Sequence, residues 1–178
     1  MIEKVLREAN RLRLQIASLP KWAVNLIFTS ANTDLALTQK SKATKGRLKN
    51  SGKIAIYLIF PINGLNQYHK RTLDELQRNN YSPIIISNSR LQESDLNFLE
   101  DNSQLIIERE NLGYDFGGYR EGILASSSIL KSCRKLLLLN DSTIFPLQKN
   151  STWIQRAEQS GFDFTGSISM NGHKSQKT

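Results

Sequence analysis

Residues 135 to 142, Lys-Leu-Leu-Leu-Leu-Asn-Asp-Ser, join a run of four leucines to an abruptly polar end. Four successive leucines require burial on both faces of a strand, a pattern typical of parallel sheets covered by helices on both sides. In an open parallel sheet, ligands bind beyond the carboxyl ends of the strands. We therefore expect Asn140, Asp141 and Ser142 to lie at a binding edge.

Apolar strand segments and more polar helical segments alternate along the chain around this stretch. The pattern predicts strands at 54–60, 82–87, 105–108 and 135–139, helices at 66–79, 93–101, 116–130 and 153–159, and a short apolar piece at 162–168. This alternation is typical of an α/β fold whose mostly parallel sheet is flanked by helices, similar to the Rossmann fold.

The composition predicts one globular domain. Of the 178 residues, 39% are hydrophobic and 22% are charged, which is enough apolar material for one core. No apolar run approaches the roughly 20 residues needed to cross a bilayer. The N-terminus lacks the residue order of a secretory signal, and the one cysteine, Cys133, suits a reducing compartment. These features predict a cytoplasmic protein.

The formal net charge of +8 lies entirely in the N-terminal third of the chain. Residues 1–53 hold 11 Lys and Arg against 3 Asp and Glu, and the remainder holds 13 basic and 13 acidic residues. A neutral domain with a basic extension argues against nucleic acid as a partner. The predicted organisation is an N-terminal extension at 1–37, a basic linker at 38–53 and the domain at 54–178.

Apolar residues recur at helical spacing near the N-terminus, and the basic side chains fall largely outside this stripe. The stripe consists of Ile2, Val5, Leu6, Ala9, Leu12, Ile16 and Leu19. It predicts a basic amphipathic helix that ends at Pro20 and is followed by Trp22. Two interpretations stay open, because such a helix can lie in the interface of an anionic membrane or pack on its own domain.

The segment from Asn111 to Gly122, NLGYDFGGYREG, holds four glycines and enters a helix. Glycines let the backbone approach a ligand closely, and amide groups at a helix N-terminus favour a phosphate. We predict that this loop lies near a diphosphate, with Asp115 capping the helix or contacting a sugar or ribose hydroxyl. The alternative is a tight turn from strand to helix with Asp115 as its cap.

Three strand ends carry unusual polar residues, and all three are expected on the same edge of the sheet. They are Ser87-Asn88-Ser89, the loop that begins at Asn111, and Asn140-Asp141-Ser142. Asp141 can hold Mg²⁺ or Mn²⁺ together with the phosphates of a ligand. The alternative is that Asp141 and Ser142 cap the following turn.

Four motifs occur here in an order that resembles the rhamnan synthesis protein F family. They are SNSRLQESDL, RENLGYDFGGYREG, KLLLLNDSTIFPL and FDFTGS, and the resemblance covers about residues 54 to 168. It implies a glycosyltransferase domain of the GT-A fold, acting in bacterial cell-wall and lipopolysaccharide synthesis. The implied donor is a nucleotide sugar, dTDP-rhamnose, and the implied acceptor is a lipid-linked glycan at the inner face of the plasma membrane.

The resemblance also implies roles for particular residues. Asn111, Gly113 and Asp115 match the donor-side loop, and Asn88 is the further donor-binding candidate at a strand end. Asn140 and Asp141 fall where related enzymes place a metal-binding Asp-x-Asp motif. Thr143 stands at the position of the second aspartate, which leaves metal dependence open.

No residue is assigned as the general base that deprotonates the acceptor. Glu158, Asp163 and His173 follow the fourth strand, with Glu158 expected on a solvated helix face. His69 and His173 are both expected at the surface. The resemblance implies that the domain continues past FDFTGS, so the sheet is predicted to be incomplete.

Three other functions compete with the glycosyltransferase. The alternative to it is a truncated, non-catalytic module that binds nucleotide at the membrane periphery. A dinucleotide-binding oxidoreductase is disfavoured because PINGLNQ, and not GxGxxG, follows the first strand. Nucleic acid binding is disfavoured by the charge distribution described above.

Overall fold

A computed structural model describes residues 41–166 of the chain, in which five strands form one sheet with helices on both faces. The elements in chain order are β1 (Lys42–Lys45), β2 (Lys53–Ile59), α1 (Gln67–Arg78), β3 (Ser82–Ser87), α2 (Glu93–Asn102), β4 (Leu105–Glu108), α3 (Tyr114–Ala125), α4 (Ser127–Leu130), β5 (Lys135–Asn140) and α5 (Trp153–Gln159). The predicted bounds of β3, β4 and α5 are confirmed, and those of β2, β5, α1 and α2 differ by one residue at one or both ends. The single helix predicted at 116–130 is divided into α3 and α4.

The strand order is β1-β4-β3-β2-β5, and β4, β3, β2 and β5 are parallel. The chain runs from β2 to β3 to β4 in one direction and then returns across the sheet to place β5 on the other side of β2. The order therefore reverses between β2 and β5, which makes the carboxyl ends of these two strands the switch point of the sheet. The predicted α/β class with a mostly parallel sheet is confirmed.

The two faces of β2 supply two different cores, because successive side chains of a strand point to opposite sides. Ile54, Ile56 and Leu58 belong to the core under α3 and α4. Tyr57 and Ile59 belong to the core under α1 and α2. On that second side α5 also packs, through a cluster of Ala55, Leu76, Tyr81 and Ile154. Burial of β2 on both faces is what its continuous apolar sequence predicts.

β5 departs from the burial that its four leucines predict. Leu137 and Leu139 pack beside α5, but Leu136 and Leu138 are each 46% exposed on the opposite face. The physical reason is the position of α3. This helix lies over β2 and β3, where Gly118 and Gly122 allow it to approach closely, and it leaves the neighbouring part of β5 uncovered.

β1 lies inside the segment that was predicted to be a linker, which is a correction to the predicted boundary at residue 54. It pairs antiparallel with β4, and Lys42 lies opposite Glu108. Just after the strand, the N–H group of Gly46 donates to the carbonyl of Gln104 at 3.1 Å. An edge strand held by backbone hydrogen bonds needs no apolar side chains, so its sequence, KATK, carries no strand signal. The folded unit therefore begins no later than residue 42.

Two further predictions concern the N-terminal and C-terminal segments of the chain. The N-terminal helix predicted within 1–37 lies outside the described residues. Of the apolar piece predicted at 162–168, the described part forms no strand, and Phe162 and Phe164 are exposed. Within 41–166, no helix has the length and hydropathy to cross a membrane.

Substitution of Gly46 tests whether this segment is packed as the structure shows. A Cβ atom at Gly46 would lie 2.0 Å from the carbonyl oxygen of Ser103. Because that neighbour is backbone, we expect Gly46→Ala to lower the free energy of unfolding by about 1–3 kcal/mol in urea titrations. The control is Gly166→Ala, where no heavy atom lies within 4 Å. Equal stability of the two variants would contradict the packing of β1.

Candidate functional site

Asp141 lies at the switch point and joins the ends of β2 and β5. Its N–H group donates to the carbonyl of Leu58 at 3.0 Å. Its carboxylate oxygen Oδ2 accepts from the N–H group of Phe60 at 2.6 Å and lies 3.2 Å from Nε2 of His69 on α1. One side chain thus ties two strand ends to the first turn of a helix.

The pKa of Asp141 is lowered. Partial burial of the carboxyl acts in the opposite direction, but the hydrogen bonds from His69 and from the Phe60 N–H group outweigh it. The carboxylate is therefore negatively charged at neutral pH, although its side chain is only 23% exposed.

His69 is buried, with 4% of its surface exposed, and the prediction of a surface position is wrong. It occupies the third position of α1, whose N-cap is Asn66. Oδ1 of Asn66 accepts from the N–H groups of Tyr68 and His69, and the N–H group of Asn66 donates to Nδ1 of His69 at 3.0 Å. The spacing of Asn66 and His69 is that of a capping box, a signal that the sequence does contain.

Asp115 and Asn140 come together across the same edge, although they lie 25 residues apart. Nδ2 of Asn140 donates to Oδ2 of Asp115 at 2.8 Å. Asp115 is in the first turn of α3 but does not cap it, because the N-cap is Gly113 and no side chain bonds to it there. Burial, followed by the charges of Asp115 and Asp141, raises the pKa of Tyr119 to about 12. Asn140 is therefore bonded to one carboxylate, that of Asp115, and is followed in the chain by another, that of Asp141, so this edge carries an acidic site.

Arg109 holds the neighbouring loops in place from a buried position. Its Nε donates to Glu121 at 2.8 Å, its Nη1 donates to Oδ1 of Asn88 at 2.5 Å, and its Nη2 donates to the carbonyl of Leu112. Asn88 is itself buried, so its observed role is to join the ends of β3 and β4. Its contact with a donor remains a prediction. Asn111 is exposed on the same loop, between β4 and α3.

The entry into α3 uses an unusual backbone conformation. Gly113 has a φ of 72° and Tyr114 a φ of 50°, both in the left-handed region. Glycine adopts this region freely, but a tyrosine there costs on the order of 1–3 kcal/mol. Such outliers persist only where the surroundings impose them, and they concentrate at functional sites.

The other three glycines of the motif serve packing and not a ligand. A Cβ atom would lie 2.2 Å from the Leu112 carbonyl oxygen at Gly117, 2.4 Å from Leu58 at Gly118 and 2.9 Å from Ile86 at Gly122. They let α3 lie close over β2, β3 and its own entry loop. Of the four glycines, Gly113 is therefore the one that remains a candidate for a close approach of the backbone to a ligand.

Exposed apolar side chains surround the acidic site, a feature that the sequence analysis missed. Tyr114 and Phe116, on either side of Asp115, are 77% and 88% exposed. Further exposed apolar residues in the loops of this edge are Phe60, Ile62, Leu112, Ile144 and Leu147. The available signal was the aromatic-acid-aromatic order at the start of a helix, where apolar residues usually turn inward.

Glu158 lies at the opposite edge of the sheet. It pairs with Lys53, the first residue of β2, at 2.9 Å, and accepts from the hydroxyl of Tyr81 at 2.9 Å. It is half-buried and paired, in contrast to the solvated position that was expected. Asp163 is exposed after α5, and His173 lies outside the described residues. Of these residues, Glu158 is held at the opposite edge and is not brought to Asp141.

Fold and site together define an α/β domain with an acidic, apolar-rimmed site at the switch point of a mostly parallel sheet. The family model described as rhamnan synthesis protein F matches residues 83–178. The chain belongs to this family, as the resemblance predicted. The membership associates it with polysaccharide synthesis.

Two relatives share much of the sequence. The chain is 36% identical over 174 residues to the uncharacterized protein y4gN of Sinorhizobium fredii (strain NBRC 101917 / NGR234), covering 98% of this chain and 45% of that protein. It is 39% identical over 105 residues to virulence protein VirA of Vibrio anguillarum (strain ATCC 68554 / 775), covering 56% and 34%. The chain thus spans less than half the length of either relative. No solved structure matches it.

The buried ion pair under the site makes a testable prediction. Arg109→Met would leave the Glu121 carboxylate buried without its partner, so we expect the free energy of unfolding to fall by about 3–5 kcal/mol. Replacing both residues, as Arg109→Met with Glu121→Leu, removes the isolated charge and should restore a large part of the loss. Urea titration measures both variants.

The matched control is Arg47→Met, which removes an exposed arginine paired with Asp101. Exposed pairs contribute about 0–1 kcal/mol, so this variant should stay near the wild type. If Arg109→Met were as stable as Arg47→Met, the described network would not support the loops of the site.

Proposed function

We propose that this domain binds a nucleotide sugar at the switch point and is the donor-binding part of a glycosyltransferase of bacterial cell-surface polysaccharide synthesis. The observation that carries the proposal is the meeting of Asp115, Asn140 and Asp141 at the carboxyl ends of β2 and β5. Open α/β sheets bind their ligands at this position. Family membership supports a role in polysaccharide synthesis, and the resemblance to GT-A enzymes suggests a nucleotide sugar as the donor.

The charge of the site bears on how a diphosphate would bind. Two carboxylates repel a diphosphate, and the buried Arg109, which holds the neighbouring loops, is already paired with Glu121. A cation between carboxylates and phosphates removes the repulsion. We propose Mg²⁺ or Mn²⁺ as that cation, held by Asp141 and Asp115 and completed by the phosphates of the donor.

The available donor atoms fit such a cation. Carboxylate oxygens are the hard ligands that Mg²⁺ and Mn²⁺ prefer. Within 41–166, no group of three or more His, Cys, Asp or Glu side chains forms a dedicated metal cage. An ion bound mainly through substrate phosphates usually has one or two carboxylates as its protein ligands, and a two-carboxylate set fits that pattern. When bound, the ion would neutralise the charge that develops on the departing nucleoside diphosphate.

Asp115 is a candidate to replace the second aspartate that the Asp-x-Asp motif lacks in this chain. Thr143 stands at that position in the sequence, but Asp115 approaches from α3 and is bonded to Asn140. We propose that Asp115 supplies the second carboxylate in space. The exposed rings of Tyr114 and Phe116 offer flat apolar surfaces for the nucleobase or the sugar, and Asn111 and Gly113 line the donor side of the loop.

The remaining partners are proposals from the resemblance. They are dTDP-rhamnose as donor, a lipid-linked glycan as acceptor, and the inner face of the plasma membrane as the place of action, reached through the basic helix predicted in 1–37. The second candidate function is a nucleotide-binding module without catalysis. The position of Glu158 at the opposite edge favours it, because this acid is then too far from the site to serve as the base that deprotonates the acceptor.

Calorimetric titration with dTDP-rhamnose, in the presence and absence of Mn²⁺, tests the proposal. Loss of a charged contact costs about 1.5–3 kcal/mol, so Asp141→Ala should weaken donor binding in Mn²⁺ by roughly 10- to 100-fold. Asp74→Ala, which removes an exposed aspartate from α1, is the charge-matched control and should bind as the wild type does.

Three outcomes of these titrations and of a transfer assay test the donor site, the cation and catalysis separately. Absence of binding to dTDP-rhamnose, dTDP and UDP-sugars by the folded chain would refute the proposed donor site. Equal affinity with and without Mn²⁺ would remove the cation from the proposal. Donor binding without transfer to a glycan acceptor would favour the non-catalytic module.

A further inference from the structure

The two oxygens of the Asp141 carboxylate are in different situations. Oδ2 accepts from the Phe60 N–H group and is bonded to Nε2 of His69. No hydrogen bond from the side chain or N–H group of another described residue is observed at Oδ1. Oδ2 is thus held by two donors, and Oδ1 is the oxygen left for a ligand.

The bonding of His69 determines which ring nitrogen carries the proton. Nδ1 faces the N–H group of Asn66 at 3.0 Å, and an N–H group can only donate, so Nδ1 acts as the acceptor. A neutral imidazole with an accepting Nδ1 carries its proton on Nε2. The ring therefore donates to Asp141 while its other side completes the cap of α1.

His69 is also fixed in place by its surroundings. Its surface is 4% exposed, and its ring lies 6.3 Å from the ring of Tyr57, centroid to centroid, on the buried face of β2. Because its ring is buried and its Nε2 is bonded to Asp141, His69 offers almost no surface to a ligand. Asp141 is therefore the direct route by which His69 affects binding, and the cap of α1 at Asn66 is the indirect one.

A single hydrogen bond to Oδ2 leaves the carboxylate free to turn about the axis of that hydrogen bond. The Phe60 N–H group alone would permit this rotation. His69 approaches from a different element, and two donors in fixed positions define the plane of the carboxylate. Hydrogen bonds of this outer kind orient ligating carboxylates, and their loss typically costs 10- to 100-fold in metal affinity.

We infer that His69 is a positioning residue, which sets the orientation of Asp141 so that Oδ1 meets the cation and diphosphate of the donor. This inference rests on the proposed function and names a residue that lies outside the motifs of the chain. It predicts a specific pattern of coupling between the two side chains.

A double-mutant cycle on donor affinity in Mn²⁺ measures that coupling. His69→Met removes the donor, and we expect it to weaken dTDP-rhamnose binding by about 10-fold or more. In the Asp141→Ala background the same change should add less than about twofold, because residues that act through one another are not additive. If His69→Met does not fold, His69→Phe replaces it, since it keeps a ring beside Tyr57 and has no donor.

Two further variants separate positioning from helix stability. His69→Gln keeps an acceptor for the Asn66 N–H group and an amide that can donate to Asp141, so it should recover most of the affinity. Asn66→Ala removes the side-chain cap of α1 but leaves the contact between His69 and Asp141. It should lower the urea midpoint and leave donor affinity within about twofold.

The outcomes are distinct. Full additivity of His69→Met and Asp141→Ala, or equal loss of affinity in Asn66→Ala and His69→Met, overturns the positioning role while the donor site stands. Failure of the wild-type chain to bind any donor removes the proposed function and the positioning role together.

Discussion

Burial of β2 on both faces is the constraint on which the rest of the structure depends. One side of the strand packs under α3 and the other under α1 and α2, and its parallel neighbours are β3 and β5. Because all three strands run in the same direction, their carboxyl ends meet at one edge. The N–H group of Phe60, at the end of β2, is therefore in place to bond to Asp141 at the end of β5.

The polar groups of this edge divide into two layers with different tasks. The buried layer is a neutral network in which Arg109 balances Glu121 and holds the loops after β3 and β4. The outer layer is acidic and consists of Asp115 and Asp141 around Asn140. Because Arg109 is paired with Glu121, the surface that we propose as the donor site keeps the negative charge of its two carboxylates. That charge is why a cation enters the proposed mode of binding.

Much of the fold was predictable from the sequence. The apolar runs Ser82–Ser87 and Leu105–Glu108 are strands with the predicted bounds, since buried parallel strands leave a continuous apolar signal. β1 was missed because a polar edge strand is held by backbone hydrogen bonds, which leave no trace in side-chain pattern. The exposure of Leu136 and Leu138 was missed because it depends on where α3 lies.

The sequence by itself determined the class of fold, the family and the edge of the sheet at which polar residues gather, because periodicity and motif order are local properties. Only the tertiary structure decided which of those residues meet. Asn140 bonds to Asp115 25 residues away, and His69 reaches Asp141 72 residues away. The tertiary structure also buries Asn88, whose Oδ1 accepts a hydrogen bond from Arg109. Contacts of this range depend on how helices pack over strands, and no local pattern encodes that packing.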